Sequence, residues 1–180
     1  IVTTCSACTS GSQGIGFGLE AIQQGKQDVM LTGGAEEFHP IDAAVFDVMY
    51  ATSTRNDAPT TSPRPFDRTR DGLVVGEGAA TLVLEALDHA QARGAHIHAE
   101  LVGWGTNCDG RHITNPDREG MAAVMRVALA DAGVAPDRIA FVSAHGTATE
   151  AGDIAESLAM QDVFGERIPT SSLKSFMGHT

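Results

Sequence analysis

The sequence has few cysteines, little positive charge and no long apolar run, and each shortage excludes a class of protein. Three cysteines in 180 residues are too few, and odd in number, for a disulfide framework, so a reducing cytoplasm is the expected location. The net charge of −11 argues against unassisted binding to nucleic acids or anionic membranes. No uninterrupted apolar run approaches the roughly 18 residues that span a bilayer. These features leave an acidic, soluble protein, which is normal for an enzyme.

Abundant glycine, 20 residues in all, and regular apolar spacing indicate a tightly packed α/β protein. Ile15, Leu19 and Ile22 recur at helical spacing and predict a helix that ends before Gly25. The same reasoning predicts strands over 28–32, 81–85, 100–105 and 139–143, and helices through Ala92, across Met121, Met125 and Leu129, and over 153–164. Residues 40–71 are predicted to be irregular. Strands that alternate with helices predict an α/β fold with a mixed or parallel sheet.

A segment with two cysteines, TCSACTSG over residues 4–11, lies directly before the first predicted helix. A thiol there feels the positive end of the helix dipole and unpaired backbone N–H groups, which favours the nucleophilic thiolate. Cys8 lies closer to the helix than Cys5 and is the better nucleophile. Two alternatives stay open: an inert packed cysteine, or a redox or metal pair of Cys5 and Cys8. A zinc site would need a second ligand pair, which Cys108 alone does not supply.

Two further segments carry imidazole and ammonium groups. His145 lies in SAHGTAT, at the end of a predicted strand, where ligands bind in α/β sheets. Lys174 and His179 lie on either side of a glycine turn in LKSFMGH. Each segment alone is a weak signal, because a single histidine is more often a packing or surface residue. Together with a thiol, these groups suit carbon–carbon bond formation: the thiol stores an acyl group, and the imidazoles stabilise the enolate of a malonyl thioester.

Six segments resemble, in order, successive signatures of the β-ketoacyl-carrier-protein synthases that elongate fatty acids: SACTSGSQGIG, IQQGKQD, GGAEE, RPFDRTRDGLVVGEGAA, HGTATEAGD and SSLKSFMGH. The resemblance runs across the whole chain. It implies that the catalytic residues are Cys8, His145, His179 and Lys174, and that Thr147 and Thr149 hydrogen-bond the phosphopantetheine arm of the carrier. Cys5 matches no catalytic position. Asp153 fits either the supporting shell of the site or a helix cap.

The resemblance also implies an architecture: a thiolase-like layered α/β fold (αβαβα), of which this chain is expected to hold only the central part. Residues 1–90 would end the N-terminal half, with the nucleophile, and residues 91–180 would begin the C-terminal half, with the histidines and the lysine. The family's first strands and its C-terminal GFGG segment are not in the sequence. We therefore expect the isolated chain to be inactive and the parent enzyme to be active.

The implied activity is decarboxylative Claisen condensation of malonyl carrier protein with a cysteine-bound acyl group. Its partners would be the acyl carrier protein, malonyl and acyl thioesters, and a second copy of the enzyme in a homodimer. No metal or dissociable cofactor is expected, since 4′-phosphopantetheine arrives on the carrier. Three alternatives remain: a polyketide or aryl-polyene ketosynthase, a thiolase, and a non-catalytic chain-length partner. The order of the motifs argues against a thiolase, and the presence of Cys8 argues against a non-catalytic subunit.

Overall fold

The computed structural model describes residues 1–166 and 168–180 and has the α/β composition predicted from the sequence. The helices are α1 (Ser10–Gln23), α2 (Pro40–Val48), α3 (Leu87–Ala92), α4 (Arg118–Ala132), α5 (Glu150–Phe164) and α6 (Lys174–Met177). The strands are β1 (Val29–Glu36), β2 (Gly78–Glu85), β3 (Val142–Ser143) and β4 (Thr170–Ser171). Short 3₁₀ turns lie at Pro59–Thr61 and Pro136–Arg138. Within the described residues, no helix is both long and apolar enough to cross a membrane.

The strands form two small sheets, and α1 packs on the first of them. β1 pairs antiparallel with β2, so that Val29 lies opposite Glu85, and β3 pairs parallel with β4, so that Val142 lies opposite Thr170. α1 packs against β1, and α4 packs against α5. The residues just before α1 and the residues just after β3 are two of the three motif segments singled out in the sequence. The first therefore leads into a helix, and the second lies between a strand and a helix.

The helix predictions made from apolar periodicity are confirmed. α1 ends before Gly25, whose φ is 66°, and α4 ends at Gly133, whose φ is 63°. Both glycines adopt the left-handed conformation that closes a helix without a Cβ clash. The helix predicted to start at Asp153 begins earlier, at Glu150, and is followed by Gly165 as predicted. Periodicity locates α1 and α4 well because each turns apolar residues at helical spacing towards the interior.

The prediction that residues 40–71 are irregular is wrong at its start, because α2 lies there. The side chain of His39 accepts the N–H of Ile41, and the side chain of Asp42 accepts the N–H of His39. This reciprocal capping satisfies N–H groups at the helix start, and Pro40 provides a preset φ at the first helical position. The sequence signal was missed because histidine replaces the usual Ser or Thr of a capping box.

None of the four strand predictions has the observed extent, and β2 begins three residues before its predicted start, at Gly78. β1 continues through Gly33 and Gly34 to Glu36 because both glycines keep their pairing with β2, and a Cβ on Gly33 would overlap the carbonyl oxygen of Ala80. β3 contains only Val142–Ser143, since β4 runs beside just these two residues. In the described part of the chain, residues 100–105 pair with no strand and stay irregular. Strand length depends on the neighbouring strand, which periodicity does not show.

Close contact between α1 and Trp104 leads to the first prediction. The indole Nε1 of Trp104 donates to Glu20 Oε1 at 3.1 Å, and a Cβ built on Gly16 would overlap the indole ring. Gly16→Ala is therefore expected to lower the free energy of unfolding by about 1–3 kcal/mol, the usual cost of overpacking. Chemical denaturation of the full-length gene product measures the effect.

Gly14→Ala is the matched control, because Gly14 lies in the same helix and a Cβ there would meet the Gly33 carbonyl oxygen at 3.4 Å, an ordinary contact. Alanine also has the better helix propensity, by about 1 kcal/mol. Gly14→Ala is thus expected to be neutral or stabilising. Equal destabilisation by both variants would contradict the packing explanation.

Candidate active site

Cys8 lies in a tight turn two residues before the start of α1. The preceding Ala7 has a φ of 49°, a left-handed conformation that is uncommon for a residue with a side chain. The turn is held by the N–H of Ser10, which donates to the Ala7 carbonyl at 3.1 Å, and by the N–H of Ser6, which donates to Ser10 Oγ at 2.8 Å. Strained backbone conformations of this kind cluster at active sites, where they orient a side chain. Here the turn presents the Cys8 thiol to a cavity.

His145 lies on the loop between β3 and α5, and a buried carboxylate fixes the backbone of that loop. Glu156 Oε1 accepts the N–H of His145 and Glu156 Oε2 accepts the N–H of Gly146, both at 2.7 Å. The hydroxyl of Ser172 donates to the carbonyl oxygen of Gly146 at 2.8 Å. Burial raises the pKa of Glu156, and the two N–H donors act in the opposite direction. The histidine is thus held by its main chain, which leaves its imidazole free for chemistry.

Asp153 serves in the supporting shell of the site, one of the two roles left open by the sequence. Its carboxylate accepts the N–H of Phe66 at 2.6 Å and the N–H of Ala148 at 3.1 Å, and it pairs with Arg70 Nε at 3.4 Å. Burial raises the pKa of Asp153, while these contacts favour the charged form. Asp153 therefore ties the loop before α5 to the loop that contains Phe66.

The position of Asp153 leads to the second prediction. Asp153→Asn removes a buried charge partner of Arg70 and places an amide N–H₂ against N–H donors. We expect the free energy of unfolding to fall by about 3–5 kcal/mol, the usual cost of breaking a buried pair. The matched control is Asp162→Asn, since Asp162 pairs with Arg118 on the surface and such pairs contribute about 0–1 kcal/mol. Similar losses in both variants, measured by chemical denaturation, would contradict this assignment.

His179 follows α6 and is held by a segment from the first half of the chain. Its N–H donates to the Val74 carbonyl at 2.7 Å, and its own carbonyl accepts the N–H of Gly76 at 2.8 Å. The ring of Phe46 lies 5.7 Å from the imidazole, centroid to centroid. These contacts bury His179 and fix it at the edge of the cavity. The second predicted histidine thus depends on residues about a hundred positions earlier.

The structure brings all four predicted catalytic residues to one cavity of about 810 Å³. One ligating atom each from Cys8, His145 and His179 lies within 4.8 Å of the other two, and the two imidazole rings are nearly perpendicular, at 87°. Lys174 Nζ donates to the His145 carbonyl at 2.7 Å and lies 3.4 Å from His145 Nδ1. A thiol, two imidazoles and an ammonium group therefore face one small volume.

The other residues singled out in the sequence lie either in the wall of the cavity or away from it. Thr147 and Thr149 line the cavity, and their hydroxyl oxygens lie 2.8 Å apart. Cys108 also lines it, whereas Cys5 is exposed and lies outside the described lining. Cys8 therefore lies with the two histidines and not with Cys5. This arrangement fits a nucleophile and does not fit a CxxC pair.

The prediction that the thiolate of Cys8 is favoured is wrong for the resting site. The thiol is reached from solvent through the cavity mouth, yet protein atoms surround it closely, and this burial raises the pKa of Cys8. A backbone hydrogen bond and the charge of Lys174 lower the pKa but do not outweigh the burial. For Cys8 to act as a nucleophile, the thiol would first have to lose this proton, and the neighbouring imidazoles are groups that could accept it.

Both histidines are held in the neutral form. The imidazole of His145 is open to the cavity, but protein atoms packed around its other sides, followed by the charges of Lys174 and His179, lower the pKa of His145 to about 4. Burial and the charge of Lys174 also lower the pKa of His179. Burial in turn lowers the pKa of Lys174 itself. At neutral pH the site therefore holds two uncharged imidazoles beside a protonated thiol.

Glu156 is the residue of this site that sequence reasoning missed. A signal was present: Asp153 and Glu156 lie three residues apart, so they share a face of α5 with the buried Ala159 and Met160. Acidic side chains on an apolar helix face are rarely buried without partners. That pattern would have predicted two buried carboxylates bound to main-chain donors.

Comparison with known proteins assigns the chain to a family. Residues 1–90 match the family described as "Beta-ketoacyl synthase, N-terminal domain", and residues 98–180 match the one described as "Beta-ketoacyl synthase, C-terminal domain". The chain therefore belongs to the β-ketoacyl synthase family. Solved ketosynthases superpose on it closely, so its fold is the thiolase-like α/β fold that the sequence resemblance implied.

Three relatives define the similarity more closely. The chain is 44% identical to 3-oxoacyl-[acyl-carrier-protein] synthase 2 of Vibrio cholerae over an alignment of 185 residues, gaps included. The alignment covers 99% of this chain and 45% of the relative. It is 62% identical to a β-ketoacyl synthase of Burkholderia phymatum, with a TM-score of 0.96 over 98% of this chain and 43% of that one. It is 39% identical to a chain from a structure described as a type II polyketide acyl carrier protein in complex with its ketosynthase. The TM-score is 0.91, and the match covers 96% of this chain and 44% of that one. The chain spans less than half the length of each.

Proposed function

We propose that the protein is a 3-oxoacyl-carrier-protein synthase of fatty acid biosynthesis, an acyltransferase that condenses malonyl carrier protein with an acyl group held on Cys8. The observation that carries the proposal is the cluster of Cys8, His145 and His179, whose ligating atoms lie within 4.8 Å of one another. Lys174 completes the set through its contact with His145. The relatives named 3-oxoacyl-[acyl-carrier-protein] synthase 2 support the same activity.

In the first half-reaction, the sulfur of Cys8 attacks the carbonyl of an acyl thioester. The proton of the thiol passes to a neutral imidazole and then to the departing thiol of the carrier. The backbone N–H behind Cys8 lies at a helix start, where it stabilises the oxyanion that forms. The products are an acyl group on Cys8 and a free carrier thiol.

In the second half-reaction, the malonyl thioester loses carbon dioxide. The electron pair of the broken bond moves into an enolate, whose oxygen accepts hydrogen bonds from His145 and His179. The carbon of that enolate attacks the acyl carbonyl on Cys8, and the thiolate of Cys8 leaves. Burial keeps both imidazoles neutral, and the charge of Lys174 acts in the same direction, since both lower the pKa of each histidine.

The partners follow from this chemistry. We propose that the acyl carrier protein delivers both thioesters on its 4′-phosphopantetheine arm, and that the hydroxyls of Thr147 and Thr149 hydrogen-bond that arm where they line the cavity. No metal or dissociable cofactor takes part. Residues 1–90 would close the N-terminal half of the enzyme and residues 91–180 would open the C-terminal half, in a cytoplasmic homodimer.

A condensation assay on the full-length gene product tests this proposal. Acyl carrier protein loaded with a saturated acyl group is mixed with malonyl carrier protein, and the β-ketoacyl product is followed by mass spectrometry. The proposal predicts one carbon dioxide released for each β-ketoacyl product. Release of carbon dioxide without a β-ketoacyl product would contradict it.

A polyketide ketosynthase is the second candidate, and a specific observation favours it. The structure of a type II polyketide carrier protein with its ketosynthase superposes with a TM-score of 0.91. Saturated and polyenoyl thioesters distinguish the two functions in competition, because a polyenoyl chain is stiffer than a saturated one. Faster condensation of polyenoyl groups would favour the polyketide or aryl-polyene function.

The charge of Lys174 leads to the third prediction. Lys174 lowers the pKa of Cys8, His145 and His179, so its removal in Lys174→Met raises all three. At acidic pH the thiol then keeps its proton and the imidazoles gain one, so that neither can start the reaction. We therefore expect the acid limb of Cys8 acylation, measured as rate against pH, to move to higher pH. Lys26→Met, which removes the exposed lysine after α1, is the matched control, and an unchanged limb in Lys174→Met would contradict the electrostatic role.

A further inference from the structure

We propose that Cys8, His145 and His179 also form a binding site for a soft divalent cation such as Zn²⁺, and that the cation blocks acylation of Cys8. The binding part of this inference rests on the geometry of the three side chains. The inhibitory part rests on the proposed function, since it requires Cys8 to be the acyl acceptor.

The donor set is one that zinc prefers. Thiolate sulfur and imidazole nitrogen bind Zn²⁺ at about 2.3 and 2.1 Å, and a tetrahedral site places such ligand atoms roughly 3.5 Å apart. The three ligating atoms here already lie within 4.8 Å of one another. Small side-chain rotations therefore close the set around one ion. Three protein ligands leave the fourth position for water, as in open zinc sites.

The surroundings hold these ligands in place and admit the ion. His179 is fixed by its main-chain bonds to Val74 and Gly76, and the main chain of His145 is fixed by Glu156. Cys8 and His145 are exposed to the cavity of about 810 Å³, which is wide enough for a hydrated cation. The net charge of −11 attracts cations to the protein. Preorganised ligands cost little to bring together, which favours binding.

One neighbouring group opposes the ion. Lys174 Nζ lies 3.4 Å from His145 Nδ1, so its ammonium charge repels a dication at this site. Removal of that charge is expected to tighten metal binding even though it weakens the chemistry. The two effects of Lys174→Met therefore have opposite signs, which separates metal binding from catalysis.

The ion and an acyl group cannot both be bound to the sulfur of Cys8, so binding of the ion prevents acylation. A sulfur–zinc bond forms as the thiol of Cys8 releases its proton to solvent, and no oxidation or reduction occurs. A Cys8 that already carries an acyl group has no thiolate to offer, so the acyl-enzyme does not bind the ion. Zn²⁺ is therefore expected to compete with the acyl donor and not with malonyl carrier protein.

Cobalt substitution tests the binding part. Co²⁺ is added to the full-length gene product in a non-chelating buffer, and a sulfur-to-cobalt charge-transfer band with intense tetrahedral d–d bands is expected. Cys8→Ser should abolish the charge-transfer band and weaken Zn²⁺ binding more than about 100-fold, since outer-shell changes alone cost roughly 10- to 100-fold. Cys5→Ser should change neither, and Lys174→Met should bind Zn²⁺ more tightly. A band that persists in Cys8→Ser and disappears in Cys108→Ser would overturn the proposal.

Kinetics test the inhibitory part. Zn²⁺ should raise the apparent KM for the acyl donor without changing kcat, and prior acylation should protect Cys8 from the ion. A cobalt band without any condensation activity would mean that the metal site is right and the proposed function is wrong. Condensation that proceeds unaffected by Zn²⁺, with no cobalt band, would mean that the proposed function is right and the metal site is wrong.

Discussion

Cys8→Ala is expected to abolish condensation while malonyl carrier protein is still decarboxylated. The thiol is the only acyl acceptor in the proposed reaction, so its loss removes the covalent intermediate altogether. His145 and His179, whose imidazoles stabilise the enolate in the proposed reaction, keep their main-chain anchors to Glu156 and Val74. Radiolabelled malonyl carrier protein measures both reactions, with carbon dioxide release continuing and β-ketoacyl product absent.

Cys5→Ala is the control for this variant, because Cys5 is exposed and lies outside the described cavity lining. Its condensation rate should equal that of the unmodified enzyme. A Cys8→Ala enzyme that still condenses at the full rate would contradict the assignment of Cys8 as the nucleophile.

His179→Ala is expected to show the complementary defect. Loss of one donor to a developing oxyanion lowers kcat by about 10²- to 10³-fold, so decarboxylation of malonyl carrier protein should fall by that factor. Cys8 should still be acylated, since His145 remains beside it as a neutral proton acceptor. Stopped-flow acylation and malonyl decarboxylation, measured separately, distinguish the two half-reactions.

His96→Ala is the control for the histidine variant. His96 is exposed and packs edge-on against His98, away from the cavity. Its removal should leave both half-reactions unchanged. If His179→Ala abolished acylation and left decarboxylation intact, the division of roles between the thiol and the imidazoles would be reversed.

Much of the site could be predicted from the sequence because its chemistry is concentrated in short motifs. Cys8, His145, Lys174 and His179 were all assigned from local patterns and the resemblance they carry, and the structure places them at one cavity. The helices α1 and α4 were also predictable, since each has an apolar stripe and a glycine at its end. These features depend only on residues close together in the chain.

The features that were missed depend on distant parts of the chain. Whether Cys8 is a thiol or a thiolate depends on burial by the surrounding protein, which a local helix-dipole argument leaves out. The role of Glu156 depends on main-chain N–H groups eleven and ten positions before it, and the anchoring of His179 depends on Val74. The spacing of Asp153 and Glu156 on α5 indicates that these carboxylates have partners. Which groups those partners are is fixed by the tertiary fold, and no motif in a single segment specifies it.

The acylation site itself is the most direct test of the central claim. The full-length gene product is incubated with a saturated acyl carrier protein, its intact mass is measured, and the modified peptide is mapped. The account predicts one acyl adduct, located on Cys8 and removed when malonyl carrier protein is added. An adduct on Cys5 or Cys108, or an adduct on Cys8 that malonyl carrier protein does not discharge, would contradict it.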